Sequence, residues 1–133
     1  MTQIAVSRYV RQIIEESTID TTGWKYQLDL WKDDGSSRVL FIRGTGGGSN
    51  SIYVEGQPIE VICIGGNTDS IAKPMDLAQQ IKSLFIGFPK NSAISVPIYH
   101  FDVMGGIMPT QTKDGRPMCI LNAIAETSRN EVF

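Results

Sequence analysis

Apolar residues near the start of the chain recur at helical spacing. They fall at i, i+3, i+4, i+7 and i+8, an arrangement that places all of them on one face of a helix. These positions are Val6, Tyr9, Val10, Ile13 and Ile14. Polar and charged residues occupy the opposite face. The pattern predicts an amphipathic helix from about Gln3 to Glu16.

A second stretch with the same period lies in the second half of the chain. Its apolar positions are Leu77, Ala78, Ile81, Leu84 and Phe85. Pro74 suits the first turn of a helix, where a missing N–H costs no hydrogen bond, and Gly87-Phe88-Pro89 is a stop signal. We therefore expect a second helix here, with its apolar face packed on a sheet.

The other apolar runs have the two-residue period of strands or are apolar throughout. The runs predicted as strands are 24–31, 39–42, 51–54, 58–64, 94–103 and 118–126. In the 58–64 run both alternating sets are apolar, as Val61 and Cys63 on one side and Ile62 and Ile64 on the other illustrate. Such a run predicts a central strand that is buried on both faces.

With the adjacent 51–54 and 58–64 runs counted together, the order of these elements is helix, three strands, helix, two strands. This order predicts an α+β fold, in which a mostly antiparallel mixed sheet is flanked by two main helices. Asp114-Gly115 stands between apolar runs inside the long turn region 104–117 and predicts a hairpin. The 133 residues contain no internal repeat and no linker, so we expect residues 1–133 to form a single domain.

The composition argues against nucleic-acid binding, membrane spanning and metal binding. The chain is 41% hydrophobic and 20% charged, with a formal net charge of −2 and no basic block that would grip nucleic acid. No window is long and apolar enough for a membrane span. Cys63 and Cys119 lie in apolar runs and are expected to be reduced core residues. Two cysteines and a single histidine cannot complete a four-ligand zinc site, so neither a metal nor another cofactor is expected.

The glycine-rich stretch from Gly44 to Asn50 does not fit a phosphate-binding loop. A Walker loop needs a lysine after its glycines, and none follows here. A dinucleotide fingerprint needs a glycine five positions after its first. Five positions after Gly44 the chain has Ser49, and five positions after Gly46 it has Ser51. Both motifs also require a helix next, whereas the residues that follow are strand-like.

Gly65 to Ser70 is a second candidate anion site, because it joins a strand to a helix. The alternative is a plain connection in which glycines supply turns and Asn, Asp and Ser supply caps. No lysine and serine or threonine pair accompanies it, and we prefer the plain connection.

His100 offers the remaining catalytic possibility. Alternation along the strand places Asp102 on the same face, so a histidine–carboxylate pair is possible, and with it a small hydrolase. A nucleophile is missing, since neither cysteine lies in a setting that would activate it. An ordinary surface histidine is the simpler interpretation, and we expect a protein that is not an enzyme.

The order of segments resembles the tail terminator proteins of long-tailed bacteriophages, also called minor tail or tail completion proteins. The segments are the first amphipathic helix, "LFIRGTGGGSNS", "PIEVICIGGN", "PMDLAQQIKSLF" and "VPIYHFDVMGGIMPTQTKDGRPMCILNAIAET". The last segment has an Asp, a Gly-rich loop and an Asp-Gly-Arg turn where the family has them. The matching residues are Asp102, Gly105, Gly106, Asp114, Gly115 and Arg116.

The resemblance implies a structural virion protein without catalysis. Family members form a ring, a homohexamer, at the head-proximal end of the tail tube, where they end tube polymerisation and offer a surface for head–tail joining. The implied partners are further copies of the chain, the tail tube protein and the head connector or neck protein. DNA passes through the lumen without specific binding, and assembly takes place in the host cytoplasm. A head–tail connector or neck protein of the adjoining ring is the nearest alternative.

We expect the long glycine-containing loops at 44–51 and 104–116 to make contacts between subunits or with the tube, because they lie between well-patterned strands. They could instead be ordinary solvent-exposed connections. The residues proposed for these contacts are Arg43, Gly44, Thr45, Gly46, Gly47, Gly48, Ser49, Asn50, Gly105, Gly106, Asp114 and Arg116.

Overall fold

The computed structural model describes residues 6–30, 37–44, 54–88, 96 and 98–128. Over these residues it contains two helices and six strands. They are α1 (Val6–Glu15), β1 (Trp24–Leu28), β2 (Arg38–Gly44), β3 (Val54–Ile64), α2 (Ala72–Gly87), β4 (Ile98–Val103), β5 (Met108–Gln111) and β6 (Pro117–Ser128). Both predicted helices are confirmed, although the expected start of α1 at Gln3 lies outside the described residues.

The six strands form one mixed sheet. Its order is β1-β2-β3-β6-β4, and β5 also pairs with β6. The β1–β2 pair is parallel and every other pair is antiparallel. Because β3 runs along one side of β6, β4 and β5 must share the other side and form one interrupted sheet edge. The predicted α+β class with a mostly antiparallel mixed sheet is confirmed.

One face of the sheet packs against both helices and holds the main core. The buried side chains of this core include Val10, Ile13, Ile14, Leu40, Ile42, Ile59, Val61, Leu77, Ile81, Phe85, Phe101 and Leu121. The other face carries a smaller cluster of Val39, Phe41, Ile62 and Ile64, with Met118 and Ile120 partly buried against it. As predicted, β3 is a central strand and supplies apolar residues to both faces.

Strand β3 is longer than either of the two runs predicted for it. The 51–54 and 58–64 predictions merge into one strand, with residues 51–53 outside the described part. Pro58 does not interrupt it, because the β2 ladder ends with the Gly44–Ile59 pair and Pro58 faces only Ile124 of β6 among the described residues. A strand tolerates proline where it has a single neighbour.

Strand β5 has no counterpart in the sequence prediction, which placed residues 104–117 in one long turn. Its four residues are Met108-Pro109-Thr110-Gln111, which lack the apolar–polar alternation of a typical strand and include only one β-branched residue. The Asp114-Gly115 turn folds them back onto the start of β6. Residues 108–111 therefore form a strand because they pair with β6, and their own strand propensity contributes little.

Candidate assembly interface

The β5–β6 hairpin is built around the predicted Asp-Gly turn. Gly115 has φ of +86°, a value that glycine adopts without strain. The Thr112 N–H donates to the Arg116 carbonyl at 2.9 Å, and the Arg116 N–H donates to Thr112 Oγ1 at 3.0 Å. The Thr112 hydroxyl also donates to the Asp114 carboxylate and lowers the pKa of Asp114. The hairpin prediction is confirmed, and Asp114 lies at the hairpin tip.

Arg116 anchors this hairpin to the rest of the fold. Its side chain is buried, with only 1% of the residue exposed. Its Nε donates to the Gly65 carbonyl at 3.1 Å, and a terminal nitrogen donates to the Ser37 carbonyl. One guanidinium therefore ties together the start of β6, the residue before β2 and the loop after β3. Sequence reasoning placed Arg116 among the partner contacts, and a charged residue directly after a turn gave no signal of burial.

An ion pair holds the loop between β3 and α2. Arg38, the first residue of β2, donates to both carboxylate oxygens of Asp69 at 2.8 and 3.0 Å. The Gly66 N–H donates to the same carboxylate at 2.7 Å. These hydrogen bonds, the one from Arg38 above all, lower the pKa of Asp69 from its ordinary 3.8 to about 2. These bonds fix the loop to the start of β2.

Asp69→Asn should lower the free energy of unfolding by about 1 kcal/mol at pH 7, a modest effect because water partly screens the pair. A lowered native pKa adds stability that is complete above the unfolded-state pKa near 3.8 and disappears as pH falls towards 2. Urea denaturation of both proteins should therefore converge between about pH 4 and pH 2. A difference that stays constant down to pH 2 would show that the ionised carboxylate is not its source.

The same geometry argues against anion binding at Gly65–Ser70. The Gly66 N–H, which a phosphate would need, already serves the Asp69 carboxylate, and that carboxylate places a negative charge in the loop. Gly65 serves close packing, because a Cβ there would lie 2.9 Å from Pro117 Cγ. Both observations favour the plain connection.

The second sheet face, which we call the open face, forms an apolar groove beside the hairpin, the open-face groove. Its volume is about 480 Å³, and its lining residues are Phe41, Arg43, Ile62, Ile64, Thr112, Lys113, Asp114 and Met118. Neither helix of the described chain covers this face. The Arg43 guanidinium lies over the Phe41 ring, 5.9 Å from its centroid, and pairs with Glu60 across the strands. An apolar floor with a charged rim is the usual composition of a protein interface.

The predicted contact residues are only partly brought together. Arg43 and Asp114 both line the open-face groove. Gly44 ends β2 beside them, and its N–H donates to Asp29. Gly105 and Gly106 are exposed on the far edge of the sheet, between β4 and β5, and Gly105 has φ of +73°. The predicted contacts at residues 45–50 lie outside the described part of the chain.

His100 is not paired with Asp102. Its Nδ1 lies 2.9 Å from an oxygen of Glu126 on the neighbouring strand β6. Cys63 and Cys119 are free, buried and directly opposite each other in β3 and β6. Burial raises the pKa of both thiols and so disfavours the reactive thiolate.

The described part of the chain contains no group of three or more His, Cys, Asp or Glu residues that could hold a metal ion. Neither α1 nor α2 is long and apolar enough to cross a membrane.

Fold and site together define a small α+β protein that leaves an apolar, charge-rimmed sheet face uncovered by its described helices. A search of curated proteins found no match to the chain. The family model for the phage tail termination protein matches residues 3–128, and the chain belongs to this family. The resemblance to tail terminators is thereby confirmed. The protein is a structural component of the phage tail.

Proposed function

We propose that this chain ends the growth of the tail tube by closing a homohexameric ring on its head-proximal end. The ring would then offer the surface on which the head connector or neck protein docks, after assembly in the host cytoplasm. The observation that carries the proposal is the family match over residues 3–128. No catalytic step is part of the proposed function.

The open-face groove supports a docking role. Its apolar floor, formed by residues such as Phe41 and Ile62, is flanked by the charges of Arg43, Lys113 and Asp114. Charged rims favour correct partners by penalising mismatched ones, while the apolar floor supplies binding energy. A formal net charge of −2 also suits a lumen through which DNA passes without being held.

The test is tube assembly from purified tail tube protein, with and without this chain, followed by electron microscopy. We expect tubes of limited length with a ring at one end when the chain is present, and longer uncapped tubes when it is absent. A connector or neck protein would give a different result. Adding such a protein would leave the tube lengths in this assay unchanged.

Deleting Gly46–Gly48 should abolish or strongly reduce tube capping, if the loop at 44–51 contacts a neighbouring subunit or the tube. Loops of this composition lose much conformational entropy when they order, so a contact must compensate for that cost. The readout is the length distribution of tubes under the microscope. Asn67→Ala, in an exposed position of a different loop, is the control and should leave capping unchanged. Normal capping by the deletion variant would show that this loop is an ordinary connection.

A further inference from the structure

Exposed and half-buried apolar side chains line the outward face of α2 and the connection beside it. The α2 edge surface consists of Ile71, Met75, Ile86 and Ile107. Within it, Ile86 is 64% exposed and Ile71 is 42% exposed. Exposed apolar groups gathered in one region, and methionines in particular, are typical of interaction surfaces.

The spacing along α2 explains why these residues share a surface. Ile71, Met75 and Ile86 fall on one stripe of the helix together with Gln79 and Lys82, at intervals of three or four residues. The half-buried Ile107, from the connection between β4 and β5, lies against this stripe. Between them runs a groove of about 630 Å³ whose lining includes Met75, Ile86 and Ile107. Lys82 adds a positive charge to the lining.

The opposite side of the subunit carries a complementary feature. Leu30, two residues after the end of β1, is 84% exposed and is the most exposed large hydrophobic residue of the described chain. The neighbouring Asp29 adds a negative charge, and it is held in place because the Ser7 hydroxyl donates to it at 2.8 Å. Strand β1 forms one edge of the sheet, whereas β4 and β5 form the other. The two apolar features therefore lie on opposite sides of one subunit.

A ring of identical subunits requires two different surfaces that fit each other and lie on opposite sides of the chain. We propose that the α2 edge surface of one copy receives Leu30 of the next copy, and that Lys82 faces Asp29 across this contact. The inference rests on the proposed function, because it identifies the partner of this surface as a second copy of the chain. The open-face groove remains available for the tube or the connector.

Cross-linking tests the contact directly. Cys63 and Cys119 are buried, so introduced surface cysteines are the ones expected to react with a short bismaleimide. The double variant Leu30→Cys/Ile86→Cys should give a ladder that ends at the closed ring. An equimolar mixture of the two single variants should give dimers, and each single variant alone should give none. Leu30→Cys/Lys113→Cys, with its second cysteine on the open face, is the control.

Cross-links within a single variant would indicate a two-fold contact and overturn the inference, as would a double variant that caps tubes without forming a ladder. Wild-type protein that fails to cap tubes would overturn the proposed function instead. The cross-linking of free protein at high concentration would then still decide the contact: a ladder supports it and its absence overturns it.

Ile86→Glu provides an independent measurement. Because Ile86 is mostly exposed, the variant should melt at the wild-type temperature. Its self-association, measured by light scattering, should weaken at least about tenfold, because the new carboxylate would face Leu30 and Asp29 of the next copy. Adding Leu30→Lys should restore most of that loss, and the control Lys113→Glu should associate normally. Normal association of Ile86→Glu would overturn the contact. Normal association with failed capping would assign this surface to the tube or the connector.

Discussion

Arg116→Ala is expected to lower the free energy of unfolding by about 3 kcal/mol. The substitution removes a buried guanidinium and leaves the carbonyls of Gly65 and Ser37 without a charged donor. It also leaves a cavity at the junction of β6, the residue before β2 and the loop after β3. The measurement is urea denaturation at neutral pH, with the wild-type protein measured in parallel.

Two further variants make this prediction specific. Arg116→Lys keeps the positive charge but has a single nitrogen to serve both carbonyls, so an intermediate loss is expected. Arg43→Ala removes an arginine whose side chain is 45% exposed, and its cost should stay below about 1 kcal/mol. If Arg116→Ala left stability intact while tube capping failed, Arg116 would act in a partner contact, as we expected for the loop at 104–116, and its anchoring role would be refuted.

Phe85→Ala is expected to cost about 4 kcal/mol of stability. Phe85 is fully buried, and its ring stacks on Phe101 of β4 with centroids 4.1 Å apart. Phe88 completes the cluster. Its ring packs against that of Phe101 in a T-shaped arrangement, with the centroids 5.3 Å apart. This cluster attaches the end of α2 to β4, so its loss should also loosen the side of the subunit that carries the α2 edge surface.

The neighbouring residue supplies the matched control for this experiment. Ile86→Ala also removes a large apolar side chain from α2, but from an exposed position, and should change the melting temperature little. Thermal unfolding followed by circular dichroism compares the two variants. Equal effects would mean that the helix is not held by its aromatic contacts with β4.

The helices and the central strand could be predicted from sequence because their signals are local. The stripe at Val10, Ile13 and Ile14 has the period of a helix wherever the sheet lies, and all three residues are buried in the structure. The run from Val61 to Ile64 is apolar on both faces, and only a central strand can bury both. Asp114-Gly115 specified its own turn, because the backbone preference belongs to those two residues.

Strand β5 and the burial of Arg116 could not be predicted in the same way. Met108 to Gln111 became a strand because the turn placed them beside β6. Arg116 is buried because Ser37, 79 positions away, and Gly65, 51 positions away, present their carbonyls to it. Partners at such separations leave no trace in a local pattern, and a charged residue beside a turn is usually exposed.

For this protein, hydrophobic periodicity alone determined the two helices, the central strand and the α+β class, because each depends on residues a few positions apart. Only the tertiary structure decided the parallel β1–β2 pair, the placement of β4 and β5 on one edge, and the separation of Leu30 from Ile86 on opposite sides of the subunit. These features follow from which strands become neighbours. Which strands become neighbours depends on contacts between residues that are far apart in sequence, and no local pattern records those contacts.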